Sequence, residues 1–512
     1  MLRFFQFLTA LALVAVVFAG PVVRAQSAPF TSYTQFNDTL VARFNRGDVQ
    51  GMESLSSPVL RSIELAGTMS RFLLGLKAKT GRITRTAVLS THGLRHEFEW
   101  QGEKQNLCVA LISPAPGVLD DYTFSDFIAQ PTGRATPVLT DNPRKTPLDR
   151  AVHRAAALYM QHPQAVGLSI GVLRQGQETF YNYGEVARST GRRPTADTFY
   201  DMGSVAKTFV GMLLAQAVLD HKVQLTDDIR QYLPGPYPNL ERNGHPVRLV
   251  DLANHTAGIP SSAHGYSKAL GDSIKALPLA DLIAYYNTYT ADSLLHDLHR
   301  FQLVTEPGTT YRYNNLGPLL LQLLLERIYQ QPYEQLVTAY VQQHFKMFDT
   351  KRVLSAAEQQ RYAIGYNERS QGQAHVTLTG YWGGTNLSST PADLMKYLRA
   401  NLAERDPAVR LAHQRTRGTA PAFGNGLAWR LDMDCDGHAR IYHSGHSIGY
   451  NTWLVLYPEQ DLGIVVLVNE NISQDRLTEM EQLLTRELLP LSPVKKQPTD
   501  QATRIRTGGR LK

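Results

Sequence analysis

The chain has 512 residues, two cysteines and a formal net charge of +7. That length allows more than one domain with a sizeable core. The charge excess sits at the two ends: Arg3 and Arg24 near the start, then Lys495, Lys496, Arg504, Arg506, Arg510 and Lys512 against Asp500 alone near the finish. The near-neutral body between them offers no argument for nucleic-acid binding.

Residues 1–25 read as a secretory signal peptide. Arg3 starts it, Phe4 to Ala19 is mostly apolar, Pro21 breaks it, and Val23-Arg24-Ala25 forms a small-residue cleavage site before Gln26. An uncleaved anchor is the alternative reading. No cysteine follows the apolar run, which argues against a lipoprotein anchor. The expected location is secreted or periplasmic.

A small α+β module follows, at about 28–130. Helical periodicity covers Thr34 to Arg46 and stops at Gly47, and a second helix is expected over 66–78. Strands are predicted at 82–90, 94–101 and 106–112, with Leu94, His96, Phe98 and Trp100 on one face. Helices followed by a strand meander suggest a curved sheet wrapped on helices. The phrase Phe44-Asn45-Arg46-Gly47-Asp48 resembles small cone-shaped domains of the nuclear transport factor 2 type. No chemistry-bearing constellation occurs here, so a positioning or dimerising role is expected. The prolines and glycine of 131–147 mark a linker.

The large domain is expected over 148–490, with a basic disordered tail at 491–512. A helix at Leu148–Gln161 precedes strands Ala165–Leu173 and Glu178–Tyr183, joined by Arg174-Gln175-Gly176. Helices are predicted at 206–220, 226–233 with Thr226 as cap, 280–288, 316–330 and 390–403. Strands return at 440–445, 451–457 and 463–468, and a last helix covers 474–488. Strands from both ends of a domain, with helices between, suggest one antiparallel sheet and an inserted helical lobe. Cys108 and Cys435 fall in different modules and are expected to stay unpaired; neither neighbourhood has metal-ligand spacing, and no metal or cofactor is expected.

Three motifs carry the chemistry. Ser204-Val205-Ala206-Lys207 opens a helix that is apolar nearly all round, Thr208 to Leu219. A serine hydroxyl needs a neighbouring base to become a nucleophile, and a lysine one turn away can be that base when desolvated. The other match, Ser492-Pro493-Val494-Lys495, lies in the tail and reads as chance. Tyr313-Asn314-Asn315 sits on a tight loop before an all-apolar helix, unlike the matches at Tyr237 and Tyr285. His443-Ser444-Gly445-His446 lies between two late strands, where Gly445 permits close approach of a substrate and a histidine can share a proton near pH 7. Each motif alone is equally compatible with packing or an ordinary surface role.

Together, and in this order, Ser-x-x-Lys, Tyr-x-Asn and His-x-Gly resemble the penicillin-recognising serine hydrolases, in the branch with class C β-lactamases, D-alanyl-D-alanine carboxypeptidases, D-aminopeptidases and esterases. Thr198-Phe199-Tyr200-Asp201-Met202-Gly203, Leu252-Ala253-Asn254-His255-Thr256-Ala257-Gly258-Ile259 and Gly383-Gly384 extend the match across about 150–490. The resemblance implies a β-lactamase/transpeptidase-like α+β fold and an acyl-enzyme on Ser204. It implies Lys207 and Tyr313 as proton-transfer groups, and Asn315 bonding the substrate amide and Lys207. It implies an oxyanion hole from the backbone N–H groups of Ser204 and His446, beside Gly445. His443 replaces the lysine of many β-lactamases, which fits peptidase or esterase activity better than potent β-lactamase activity. His255 reads as structural, at a helix end closed by Gly258. Residues 260–300 are a plausible cover over the site, with Gly258, Gly265 and Gly271 as hinges. Expected substrates are D-amino-acid peptides, peptidoglycan stems or small esters. The tail offers a peripheral envelope contact, and the oligomeric state is open. A weak β-lactamase and a catalytically silent scaffold are the competing readings; a metal-dependent hydrolase has no clustered ligands to support it.

Overall fold

The computed structural model describes residues 30–57, 60, 68–92, 95–113, 115–119, 121–126, 138–260, 277, 279–367, 369–373, 387–418, 423–434, 436–472 and 474–489. The expectations placed on the leader 1–25, the tail 491–512, Cys435, Gly383-Gly384, Gly265 and Gly271 lie outside these residues.

Near the start, helix α1 (Tyr33–Arg46) is capped by the Ser32 hydroxyl and ended by Gly47, whose φ of 74° satisfies the last carbonyls. Asp48 then caps a short turn, Val49–Glu53. Asn45 donates to and accepts from the backbone of Ile83 at 2.8 Å each way, tying the end of α1 to the first strand. After α2 (Thr68–Thr80) come β1 (Ile83–His92), β2 (Arg95–Gly102), β3 (Leu107–Ile112) and β4 (Asp121–Asp126), an antiparallel sheet in sequential order. Phe36, Leu40, Phe44, Phe98, Trp100 and Val109 form a core of their own. Strand β4 was not predicted; the aspartates at both its ends hide the alternation of Tyr122 and Phe124 against that core.

Helix α3 (Pro147–Met160) begins inside the stretch predicted as linker. Thr146 and Asp149 form a capping box and Pro147 takes the first helical position, where its missing N–H costs nothing. Upstream, Asn142 donates to Asp149 O and to the Tyr183 hydroxyl, so 138–146 packs against the domain that follows.

That domain is built on a seven-stranded antiparallel sheet. In chain order its strands are β5 (Gly167–Arg174), β6 (Gln177–Gly184), β7 (Gly424–Asn425), β8 (Arg430–Met433), β9 (Ala439–Ser447), β10 (Tyr450–Tyr457) and β11 (Leu462–Val468); in space the order is β7-β8-β9-β10-β11-β5-β6. The first and last strands of the domain therefore pair, β11 with β5, as expected. Strand β11 is buried throughout because both faces are covered. Ile464, Val466 and Val468 face α3 and α8 (Gln474–Leu488), while Val465 and Leu467 face the helical lobe.

The lobe contains α4 (Lys207–Leu219), α5 (Leu249–Ala253), α6 (Leu316–Tyr329) and α7 (Pro391–Ala403). Lys207 to Ala215 of α4 are all buried, and each fully buried aliphatic side chain is worth roughly 1.5–3 kcal/mol. The helix is thus held by packing, independently of any polar group at its start. The helix expected at 226–233 is only a 3-10 turn, Ile229–Tyr232, capped by Asp228 rather than Thr226. Pro234, Gly235 and Pro236 follow too closely for an α-helix to develop. Among the described residues no helix is long and apolar enough to cross a membrane.

Candidate active site

The α4 helix starts from a 3-10 turn, Gly203–Ala206. In that winding residues three apart eclipse one another, which stacks Lys207 over Ser204. Lys207 Nζ donates to Ser204 Oγ at 2.8 Å. Lys207 is 2% exposed; its ammonium group reaches the cleft only through the half-buried serine.

Tyr313 completes this centre. Its ring lies 5.5 Å from Lys207 Nζ, and Ser204 and Lys207 both act on its hydroxyl, while the residue is 37% exposed. Burial of the hydroxyl raises its pKa. The Lys207 charge, the Ser204 bond, the Arg430 charge and the Lys207 bond together outweigh that effect, so the phenol titrates below its ordinary range.

The loop that presents Tyr313 is held by main-chain bonds to 255–258. Arg312 N–H donates to His255 O at 2.8 Å and Gly308 N–H donates to Thr256 O at 2.9 Å. Asn314 fixes the start of α6 by accepting from Gly317 N–H at 2.8 Å and donating to Arg312 O. Asn315 is exposed and makes no hydrogen bond to Lys207, so that expected pairing is absent among the described residues. Spacing alone could not tell which asparagine is structural.

On the opposite wall, β8 pairs with β9 only as far as Tyr442. Beyond it, the free edge of β9 runs against the 3-10 turn. A Cβ on Gly203 would lie 2.6 Å from His446 N, and a Cβ on Gly445 would collide with Met202 O and lie 3.3 Å from Ser204 N. Asp201 pins the two segments together, accepting from Gly203 N–H at 2.7 Å and from the Ser447 hydroxyl at 2.8 Å. Ser204 N–H is one of the first-turn donors that a helix leaves unpaired. Gly445→Ala is therefore expected to push β9 off the turn and lower turnover by about 10²–10³-fold, the loss typical of a displaced oxyanion donor. Full activity in this variant, measured on a small ester, would show that the close approach has no catalytic use.

His443 is buried within β9. Its side chain is 1% exposed, and its Nδ1 donates to Ser444 O at 2.7 Å. Burial, then the charges of Arg430 and Lys207, hold its pKa well below 6.5. These effects favour its neutral form. His446 is the exposed histidine; its Nδ1 donates to Asn451 Oδ1 at 2.8 Å, since the Asn451 amide nitrogen is occupied by Glu470 O and Ile472 O.

Two contributors escaped the sequence reading. Arg430 lies opposite Tyr442 in the β8–β9 register. Its guanidinium sits 5.4 Å from the Tyr313 ring centroid, and its charge acts on the Tyr311 hydroxyl. Among the described residues no carboxylate lies within ion-pair distance of it. His255, read as a helix end, itself takes the left-handed backbone, φ 58°, just after α5. Its buried ring packs against Tyr313 at 4.4 Å and edge-on to Tyr311 at 5.9 Å. Burial, Lys207 and Arg430 keep it neutral too. Among the described residues, no group of three or more His, Cys, Asp or Glu is placed to hold a metal.

This arrangement was compared with known proteins. The Beta-lactamase family model matches residues 152–486. A "Beta-lactamase" from Lysobacter lactamgenus is 23% identical over 372 residues, covering 65% of this chain and 90% of that protein. The "D-alanyl-D-alanine-carboxypeptidase/endopeptidase AmpH" of Escherichia coli K12 is 25% identical over 324 residues, covering 60% of this chain and 80% of that protein. The crystal structure of a "Beta-Lactamase/D-Alanine Carboxypeptidase" from Pseudomonas syringae superposes with a TM-score of 0.55 at 22% identity, covering 67% of this chain and 100% of that one. It shares the fold. This chain belongs to the beta-lactamase family, the penicillin-recognising serine hydrolases, and is a serine hydrolase.

Proposed function

We propose that the chain is an exported acyl hydrolase, working through an acyl-enzyme on Ser204, that cleaves substrates bearing a carboxylate next to the scissile bond: D-amino-acid peptides of the peptidoglycan-stem type, or small esters. The observation that carries this reading is the 2.8 Å bond from Lys207 to Ser204 with the Tyr313 ring 5.5 Å from the same ammonium group. Lys207 already donates to Ser204 Oγ, which leaves the serine's own proton for the nearby Tyr313 oxygen. As Oγ attacks the carbonyl carbon, its O–H bond breaks and Tyr313, in its phenolate form, takes the proton. The N–H groups of Ser204 and His446 receive the developing oxyanion. Collapse of the tetrahedral intermediate returns the proton from Tyr313 to the leaving group, and water repeats the sequence in reverse. Asn315 is free to bond the substrate amide. Gly445 leaves room for the substrate backbone, and His443 forms part of the neutral wall.

Lys207, Arg430 and Arg417, which lies 5.3 Å from the Tyr311 ring centroid, make the cleft electropositive. Arg430 suits a planar carboxylate. Arg430→Gln is expected to raise KM for a D-alanyl-D-alanine peptide by about 10–100-fold, as for a lost charge-assisted bond. KM for the same peptide amidated at its C-terminus should hardly change. An equal loss on both peptides would remove Arg430 from carboxylate recognition.

β-Lactam hydrolysis is the second reading, favoured by the names of several relatives. Penicillins also carry a carboxylate, so Arg430 serves either; the half-life of the penicilloyl-enzyme separates them. Export rests on the leader at 1–25, and N-terminal sequencing of the mature protein tests cleavage before Gln26. The separate core under β1–β4 supports the division into a module at 28–130 and a hydrolase domain from 148.

A further inference from the structure

We propose that a recess beside Phe199, lined by Arg192, Arg193 and Arg361, is a binding site for a small phosphate-bearing molecule. It is a cavity of about 420 Å³ whose walls also include Thr195, Thr198 and Gln360, and none of its lining residues belongs to the Ser204 centre. That volume falls within the range of small-molecule pockets and exceeds the need of a bare phosphate.

The lining of this recess is cationic, and the acids that pair with Arg193 and Arg361 stand outside it. No lining residue is acidic. Arg361 is held by Asp349 through two bonds of 2.9 Å and lies 4.7 Å from the Phe199 ring centroid, so it forms a fixed wall. Among the described residues, the Arg192 side chain hydrogen-bonds Gln360 O alone, at 3.4 Å, and has no carboxylate partner. Arg193 Nε stands 3.5 Å from Asp141 Oδ2 without a hydrogen bond. Both oxygens of Asp141 already accept from Asn182, at 2.7 Å each, which weakens its claim on Arg193.

The scaffold is rigid enough to be a site. The Glu185 carboxylate accepts from Ser189 N–H at 2.7 Å and Gly191 N–H at 2.6 Å, closing the loop that presents both arginines. Val186 N–H donates to Arg192 O at 2.8 Å. Thr198 Oγ accepts from Thr195 N–H at 2.8 Å, leaving its own proton to donate. Two guanidinium forks and a hydroxyl match the several oxygens of a phosphate, whereas a single carboxylate would satisfy one fork.

The test is calorimetric titration of the full chain with inorganic pyrophosphate, inorganic phosphate and succinate at equal ionic strength. Saturable one-site binding of pyrophosphate is expected, weakened about tenfold or more in the Arg192→Ala/Arg193→Ala double variant, the loss of at least one charge-assisted bond. Ester turnover in that variant should be unchanged. If the double variant loses its circular-dichroism signal, Arg192→Gln, on an exposed side chain, carries the comparison. Absence of saturable binding, an unchanged affinity in the variants, or succinate binding as tightly as pyrophosphate would each overturn the proposal.

Discussion

Ser204→Ala is expected to abolish hydrolysis, with turnover falling about 10⁴–10⁶-fold, the cost of removing a nucleophile from a unit that acts as a whole. The size of this loss follows from geometry. Lys207 and Tyr313 are arranged around one oxygen, and without it neither has a proton to move. Binding should survive, because Arg430 and the main chain of 445–446 remain. Stability should change little: Ser204 is only half-buried, and α4 is held by its apolar packing. The check pairs steady-state kinetics on a small ester with thermal melting. Residual turnover above about 1% of wild type would point to another nucleophile.

Tyr313→Phe is expected to lower kcat/KM by about 10²–10⁴-fold, the range for loss of a positioned general base, and to change the pH profile as well. The direction follows from the shift. Tyr313 is an acid whose pKa is lowered, so its base form is populated at lower pH than in an ordinary tyrosine. In wild type, kcat/KM rises with pH toward a midpoint below 10 and then levels; the phenylalanine variant loses that rise. The ring contacts with His255 and Arg430 survive the substitution, so a fold defect is not expected. A variant that keeps both the rate and the alkaline rise would shift the base role to Lys207.

The sheet assembled from both ends of the hydrolase domain was legible because β5, β10 and β11 are apolar runs of strand length, and α4 and α6 are apolar on every side. The three motifs were legible because each sits at an element boundary that its own residues define. Arg430 was not. It stands on a four-residue strand, and its meeting with Tyr313 depends on the register that sets it opposite Tyr442. The packing of His255 on Tyr313 was hidden for a related reason. A helix end at Asn254 is local information, but the packing of the next ring on Tyr313 comes from a loop nearly sixty residues downstream. The pKa of His443 depends on charges from α4 and β8, which spacing along one strand does not report.

The most direct measurement is intact-protein mass spectrometry after incubation with a fluorophosphonate and, separately, with a penicillin, on wild type and Ser204→Ala. A single adduct on wild type with each probe, absent from the variant, is the predicted result. An adduct that persists in Ser204→Ala, or no adduct on wild type with either probe, would contradict an acyl-enzyme on Ser204.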